Sequence, residues 1–494
     1  MDTVSSALAL GGHSASYEQA TKDFIRAAEE NIARIESQIR DLELLRDRER
    51  SFIAALKQVA APIRKLPAEL LLEIFKHILF PDWRISERCY RLKRVLAVSH
   101  VCPHWRRLVS TTPRFWAFEL LINLPKAAPS EAYLATTKLF LERSGSLAIP
   151  MVLEGASPKG SALPAIVYSS ASRWSSLDFR SSQISELRKL PASTFKQLVS
   201  VDLKSGTRIP ALTPIRAFMG ARRLQTVHLQ VANPDRYHMP WSQLTHLTAY
   251  GVDKNPQAFV DVLVQCTNLI EAKFRNMMPW LQPPPDNSSS APVQLPRLKS
   301  LEVHFNFNEC EGLVTPFFAR LALPALTTLD ICSYSESAWV SADFTPFQRR
   351  SPNIERLDIE GSLMSGETVV ALLTNSPSLE VLSLERCFDG YTAIEAALEC
   401  LVYSNTNVVH AAPRLRTINL IDQLPDVDEE VLERAIVSRW WTDTQLAALP
   451  VPPLAARWES FYLRSSEEQE QAFSEDLLAR IEQLVQEGFN VCVE

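Results

Sequence analysis

A six-residue pattern, L-x-x-L-x-L, recurs nine times between residues 198 and 420 and constrains the fold more than any other feature of the chain. The copies read LVSVDL from Leu198, LQTVHL from Leu224, LTHLTA from Leu244, LIEAKF from Leu269, LKSLEV from Leu298, LTTLDI from Leu326, IERLDI from Ile354, LEVLSL from Leu379 and LRTINL from Leu415. Degenerate copies, WSSLDF from Trp174 and WESFYL from Trp458, flank them. The end of each copy alternates inward and outward positions, the period of a strand with one buried face. Steps of 20 to 36 residues leave room for a turn, a short helix or loop, and a return between strands. A proline stands just before many copies, as in LPRL, LPAL, SPNI, SPSL and APRL, and biases the chain towards an extended approach. One such unit cannot bury its apolar face alone, but a stack of them can.

A period in this range with this pattern reads as leucine-rich repeats. They are irregular, because the asparagine expected after each strand is mostly missing. The array is expected over residues 173–421, interrupted by a loop at 283–292 (PPPDNSSSAP), with a C-terminal repeat and helical cap over 422–494. Within the cap, DEEVLERAIVSRWW and SEDLLARIEQLVQ read as helices and NVCVE as a final strand. A concave strand face is where such an array binds a partner. Its outward positions include His228, Thr248, Tyr250, Lys273, Arg275, Glu302, His304, Asp330, Asp358, Glu360, Ser383, Glu385 and Asn419. Lys273 and Arg275 form an expected basic patch, and the later repeats turn acidic.

The chain upstream reads differently. Residues 1–20 are small and polar, as in a disordered tail. A helix is expected over 21–61, with Ile25, Ala28, Ile32, Ile35, Ile39 and Leu42 in alternating steps of three and four. The register passes through the polar Arg46 and Glu49 and recovers at Ile53, Leu56, Ala60 and Ile63. Two readings are open: a dimeric coiled coil, or a lone helix folded back on its own domain.

After that helix comes IRKLPAELLLEIFKHILF, residues 63–80. Pro67 suits a first helical turn, and Glu69 suits the positive helix end. Leu70, Leu71, Ile74, Phe75, Ile78 and Leu79 make an apolar band broader than a coiled-coil seam. A second helix is expected over about 90–98. A third opens at Pro103, with Trp105, Leu108 and Val109 apolar. About 50 residues bury too small a fraction of their surface for a robust core, so the exposed Leu-Pro and Leu-Leu edge would be better covered.

LPAELLLEIFKHIL followed by VSHVCPHWRRLVSTTPRFW resembles the F-box motif, over about a tenth of the chain. The preceding charged helix resembles the large F-box families of mushroom-forming fungi. The expected F-box domain covers 62–118, with a linker or entry to the repeats over 119–172. The resemblance implies docking on a Skp-type adaptor, and through it on a cullin–RING ubiquitin ligase. The positions that carry over are Leu66, Pro67, Glu69, Leu70, Leu71, Ile74 and Phe75, then Val101, Cys102, Trp105 and Leu108. It also implies a buried, unreactive Cys102. The loop FPDWRISERCYRLKR is longer than the common pattern, which leaves the register of the second helix open.

Composition removes several function classes. The net charge of −6 gives no nucleic-acid footprint, although seven Lys/Arg stand against one acid between Arg84 and Arg107. None of the eight cysteines forms a C-x-x-C pair, which argues against zinc and suits a reducing compartment, cytoplasm or nucleus. There is no charged-then-apolar leader and no apolar run long enough for a bilayer. No nucleophile, metalloprotease or phosphate-loop motif occurs. The expectation is an α+β or α/β solenoid: an N-terminal helix, a three-helix F-box, then the repeat array. As a function, it is a non-catalytic substrate receptor of a Skp–cullin–F-box ligase. It would use no cofactor, metal, nucleic acid or membrane, and would hold an unidentified protein substrate. The alternatives are a non-ligase interaction scaffold and a coiled-coil assembly protein, a homodimer through the N-terminal helix.

Overall fold

The structure is a computed structural model. It describes residues 15–79, 90–156, 158, 160–180, 184–204, 214–230, 237–251, 257–278, 292–306, 314–404, 410–422, 427–449, 451–465 and 473–493. The expected loop at 283–292 falls outside these apart from residue 292, as do residues 1–14 of the expected tail and residues 80–89 of the long F-box loop. The chain divides into two compact units, one of Met1–Arg84 with Lys93–Val109, the other of Ile85–Leu92 with Ser110–Glu494.

In the first unit, helix α1 spans Ala15–Ala60, so residues 15–20 are helical rather than tail. Its heptad seam is not folded away. Ile25, Ile32, Ile35, Ile39, Leu42, Ile53 and Leu56 remain 49–65% exposed. A short 3-10 turn, Pro62–Lys65, ends it, and Pro62 at its first position needs no donor. Helix α2 is Ala68–Leu79. Pro67 stands just ahead of it, where its carbonyl accepts the Leu71 N–H at 3.2 Å. The broad apolar band of α2 resolves into two rows. Leu71, Phe75 and Leu79, four residues apart, are fully buried. Leu70, Ile74 and Ile78, each one residue earlier, are 53%, 38% and 47% exposed. Helix α3 (Tyr90–His100) buries Val95 and Val98, and α4 (Pro103–Thr111) buries Val109. The Phe75 ring meets Trp105 edge-on at 4.7 Å. Cys102 is half-buried rather than buried, because it occupies the start of α4, where its Sγ accepts the Trp105 N–H at 3.5 Å.

Among the described residues, the second unit is built on a main sheet of fourteen parallel strands in strict sequence order. These are β1 Leu120–Leu124, β2 Ile149–Gly155, β3 Trp174–Arg180, β4 Ser200–Lys204, β5 Thr226–Gln230, β6 His246–Tyr250 and β7 Glu271–Met277. Then come β8 Ser300–Phe305, β9 Thr328–Ala338, β10 Arg356–Leu363, β11 Val381–Glu385, β12 Thr417–Asp422, β13 Ser460–Ser465 and β14 Asn490–Val493. Each repeat copy supplies one strand. Leu301, Leu329, Leu357, Leu382, Ile418 and Phe461 lie in one register row and are at most 1% exposed. Fully burying a side chain of this kind contributes about 1.5–3 kcal/mol. The opening leucines Leu198, Leu224, Leu244, Leu269, Leu298, Leu326, Leu379 and Leu415 are also fully buried. Ahead of the strands, a backbone ladder passes from copy to copy, with Ile270, Lys299, Thr327, Glu355, Glu380, Arg416 and Glu459 each donating to the previous copy at 2.7–2.9 Å. It satisfies the groups that an isolated strand would leave bare.

Residues 119–172, expected as a linker or entry to the repeats, form the entry: β1, helix α5 (Glu131–Arg143), β2 and helix α6 (Ala162–Tyr168) already belong to the array. In the C-terminal segment the two expected helices and the final strand are present: α7 (Glu429–Ser438) and α8 (Glu475–Gln486) lead into β13 and β14, so the segment continues the repeats up to the last strand of the sheet. Among the described residues, no helix is long and apolar enough to cross a membrane.

Candidate functional site

Two surfaces collect the residues singled out by the sequence. On the first unit, the outer row of α2 presents Leu70, Ile74 and Ile78 immediately after Leu66 and Pro67. Leu66 is half-buried; Pro67, Glu69 and Val101 are exposed. Trp105 and Leu108 are half-buried. Leu71 and Phe75 face the core, so they hold α2 in place and cannot themselves touch a partner. The rim is charged, with Lys76 bonded to Glu73 at 2.7 Å. Three exposed aliphatic side chains on one face of a twelve-residue helix are the kind of surface that a protein partner dehydrates.

On the second unit, the outward strand residues form register rows. One runs Asp178, Asp202, His228, Thr248, Lys273, Glu302, Asp330, Asp358, Ser383, Asn419 and Tyr462. A second brings together Tyr250 with Arg275, and His304 with Cys332, Glu360 and Glu385. All ten charged or aromatic candidates from His228 to Glu385 lie half-buried on this face. A shallow depression of about 380 Å³ lies among His228, His246, Tyr250, Lys273 and Arg275.

The basic patch is not a free patch. Lys273 reaches Glu271 at 2.9 Å and Glu302 at 3.6 Å, and Arg275 reaches Glu302 at 2.6 Å. The hydrogen bond from Lys273 holds the Glu271 carboxyl below its usual value, and the same bond raises the Lys273 ammonium. The acidic stretch is balanced likewise: Arg356 bonds Asp358 at 2.7 Å, and Arg386 bonds Glu360. Earlier on the face, Arg180 clasps Asp178 and Glu154, and Lys204 bonds Asp202. The row begins at these strands, earlier than His228. The matching aspartates of WSSLDF and LVSVDL were the sequence signal for it.

Glu302, His304 and Asp330 bring one donor atom each within 4.8 Å of one another. This trio escaped sequence spacing because Asp330 comes from the neighbouring strand. Glu302 is already held by Lys273 and Arg275, two cations that would repel a metal ion, so the trio is organised as an ion network. Cys332 donates to Glu360 at 3.0 Å, and burial followed by that carboxylate pushes its thiol up, away from nucleophilic character. Glu302 is only 13% exposed and anchors two cations. Glu302→Ala is expected to cost about 1–2 kcal/mol, read as a lowered midpoint in chemical denaturation.

No family model matches the sequence, and no curated protein does. Among solved structures, an internalin (inlF) from Listeria monocytogenes str. 4b F2365 is similar at 13% identity over 80% of this chain and 98% of that chain, with a TM-score of 0.38. The solenoid assignment rests instead on the strand order and register described above.

Proposed function

We propose that the chain is a protein-binding receptor subunit, which docks on a Skp-type adaptor through α2 and presents a protein substrate on the outward face of the parallel sheet. The observation that carries the reading is the exposed row Leu70, Ile74 and Ile78 directly behind the Leu66–Pro67 turn, the region where the sequence resembles an F-box. A helix serving only its own core would end its apolar band at Leu71, Phe75 and Leu79.

On this reading the chain contributes position rather than chemistry. It raises the effective concentration of a bound substrate near a ubiquitin-charged enzyme held by the adaptor and cullin, and needs neither a cofactor nor a metal. Such a role belongs to the cytoplasm or nucleus. The balanced charges of the sheet face favour a substrate that matches a mosaic of both signs. A phosphorylated segment would first have to displace Glu302 from Lys273 and Arg275.

The test is co-purification of the full chain with a Skp-type adaptor, beside a Leu66→Ala/Pro67→Ala double variant. Capture by the parent and a loss of at least about tenfold in the variant are expected. A folded parent that captures no adaptor overturns the ligase reading and leaves a free-standing interaction scaffold.

A further inference from the structure

Helix α1 carries a heptad seam that nothing described in the chain buries, and two charged residues interrupt it. With Ile25 at the first seam position, the a positions are Ile25, Ile32, Ile39, Arg46, Ile53 and Ala60, and the d positions are Ala28, Ile35, Leu42, Glu49 and Leu56. The flanking e positions are Glu29, Glu36, Glu43, Arg50 and Lys57: acidic in the first half, basic in the second. The g positions are Phe24, Asn31, Gln38, Leu45, Phe52 and Val59.

We infer that α1 pairs with α1 of a second copy of this chain as an antiparallel coiled coil, centred between Asp47 and Arg48. The argument is charge complementarity. In an antiparallel pair each a residue meets a d residue of the other helix, and e meets e. Centred there, Ile39 faces the partner's Leu56, Leu42 faces the partner's Ile53, and Ile35 faces the partner's Ala60. Arg46 then faces the partner's Glu49, and by symmetry Glu49 faces the partner's Arg46. The two apparent defects become one central layer of opposite charges. On the flank, Glu43 meets the partner's Arg50, and Glu36 meets the partner's Lys57. Leu45 meets the partner's Phe52 on the other side.

A parallel pair does the reverse. It sets Arg46 against the partner's Arg46 and Glu49 against the partner's Glu49 inside the seam, where unpaired charge is costly. It also aims Glu43 and Arg50 at Gln38 and Leu45, which offer no charge. In the single chain Arg46 bonds Asp47 at 3.0 Å, with both side chains about half or more exposed, a contact too weak to compete with a desolvated layer. The paired stretch, residues 35–60, is about 39 Å long at 1.5 Å per residue. This pairing is independent of adaptor docking and stands or falls by itself.

Sedimentation velocity of the full chain tests it. The parent is expected to be a dimer in the micromolar range. Glu43→Lys sets like charges together at two symmetric contacts and is expected to weaken the dimer about tenfold. Glu43→Lys/Arg50→Glu should restore it. Both variants change only exposed helix positions, and circular dichroism checks that α1 remains helical. A parent that stays monomeric at about 50 µM overturns the inference, since a dimer of this kind would then hold less than about 6 kcal/mol. So does a dimer indifferent to Glu43→Lys, which is the parallel outcome, or one weakened by it and not restored by the double change.

Discussion

Ile74→Asp is expected to abolish adaptor capture while leaving the fold intact, whereas Phe75→Ala, one residue further on, is expected to cost about 4 kcal/mol of stability. The two side chains share a helix and a hydrophobic character but not a face. Ile74 is 38% exposed, so a polar group there can reach water in the uncomplexed chain, at a cost of about 1 kcal/mol from the apolar area it no longer buries. Against a dry partner surface the same carboxylate is stranded, at about 3 kcal/mol or a hundredfold in affinity. Phe75 is fully buried and stacks edge-on with Trp105. Its truncation opens a cavity among the short helices α2, α3 and α4, and a loss of that size unfolds so small a core at ordinary temperature. Thermal melts followed by circular dichroism, together with adaptor pull-down, separate the two effects. Undiminished capture by Ile74→Asp would remove the outer row of α2 from the interface, and an unshifted melt for Phe75→Ala would mean that the two rows had been assigned to the wrong sides.

The same contrast shows which parts of the molecule were legible in the sequence. The band on α2 was visible as six apolar residues, but its division into a buried and an exposed row required the neighbouring helices. The repeats were legible because each copy carries its own buried leucines and its own alternation. β1 and β2 were not. At the outward positions of that row they carry Leu121 and Val152, with Val152 buried, where later copies carry a polar residue, so the alternation disappears. The basic patch was misjudged for a related reason. Lys273 and Arg275 are outward cations, and Glu271, which pairs with Lys273, stands two residues before it on the same strand; but Glu302, which pairs with Arg275, lies on the next strand and 27 residues away. A strand's face can be read from the strand alone; the charge of that face is a property of neighbours that only the register supplies.

Register also makes Gly361 a costly position to substitute. Between the pairs Cys332–Glu360 and Ser337–Ser362, β9 passes four residues while β10 passes one, Gly361. That single residue must turn sharply to keep up. It sits at φ +69, in the left-handed region, and a Cβ there would overlap the Ser333 carbonyl oxygen. Gly361→Ala is therefore expected to cost about 3 kcal/mol, part from backbone strain and part from a clash that neither strand can relieve without giving up pairing. Gly488 provides the control. It has φ +93, and a Cβ added there would meet nothing within 4 Å. It ends α8 in a left-handed cap, where its N–H donates to Val485 and that of Phe489 to Leu484, both at 3.0 Å. Gly488→Ala meets the dihedral penalty without the clash, and about 1 kcal/mol is expected. Because a repeat array can open locally, amide exchange over residues 328–363 and 475–493 is the suitable measurement. Exchange should accelerate far more around Gly361 than around Gly488 in the respective variants. Equal acceleration would mean that the dihedral alone sets the cost, and that the four-to-one bulge has room to absorb a methyl group.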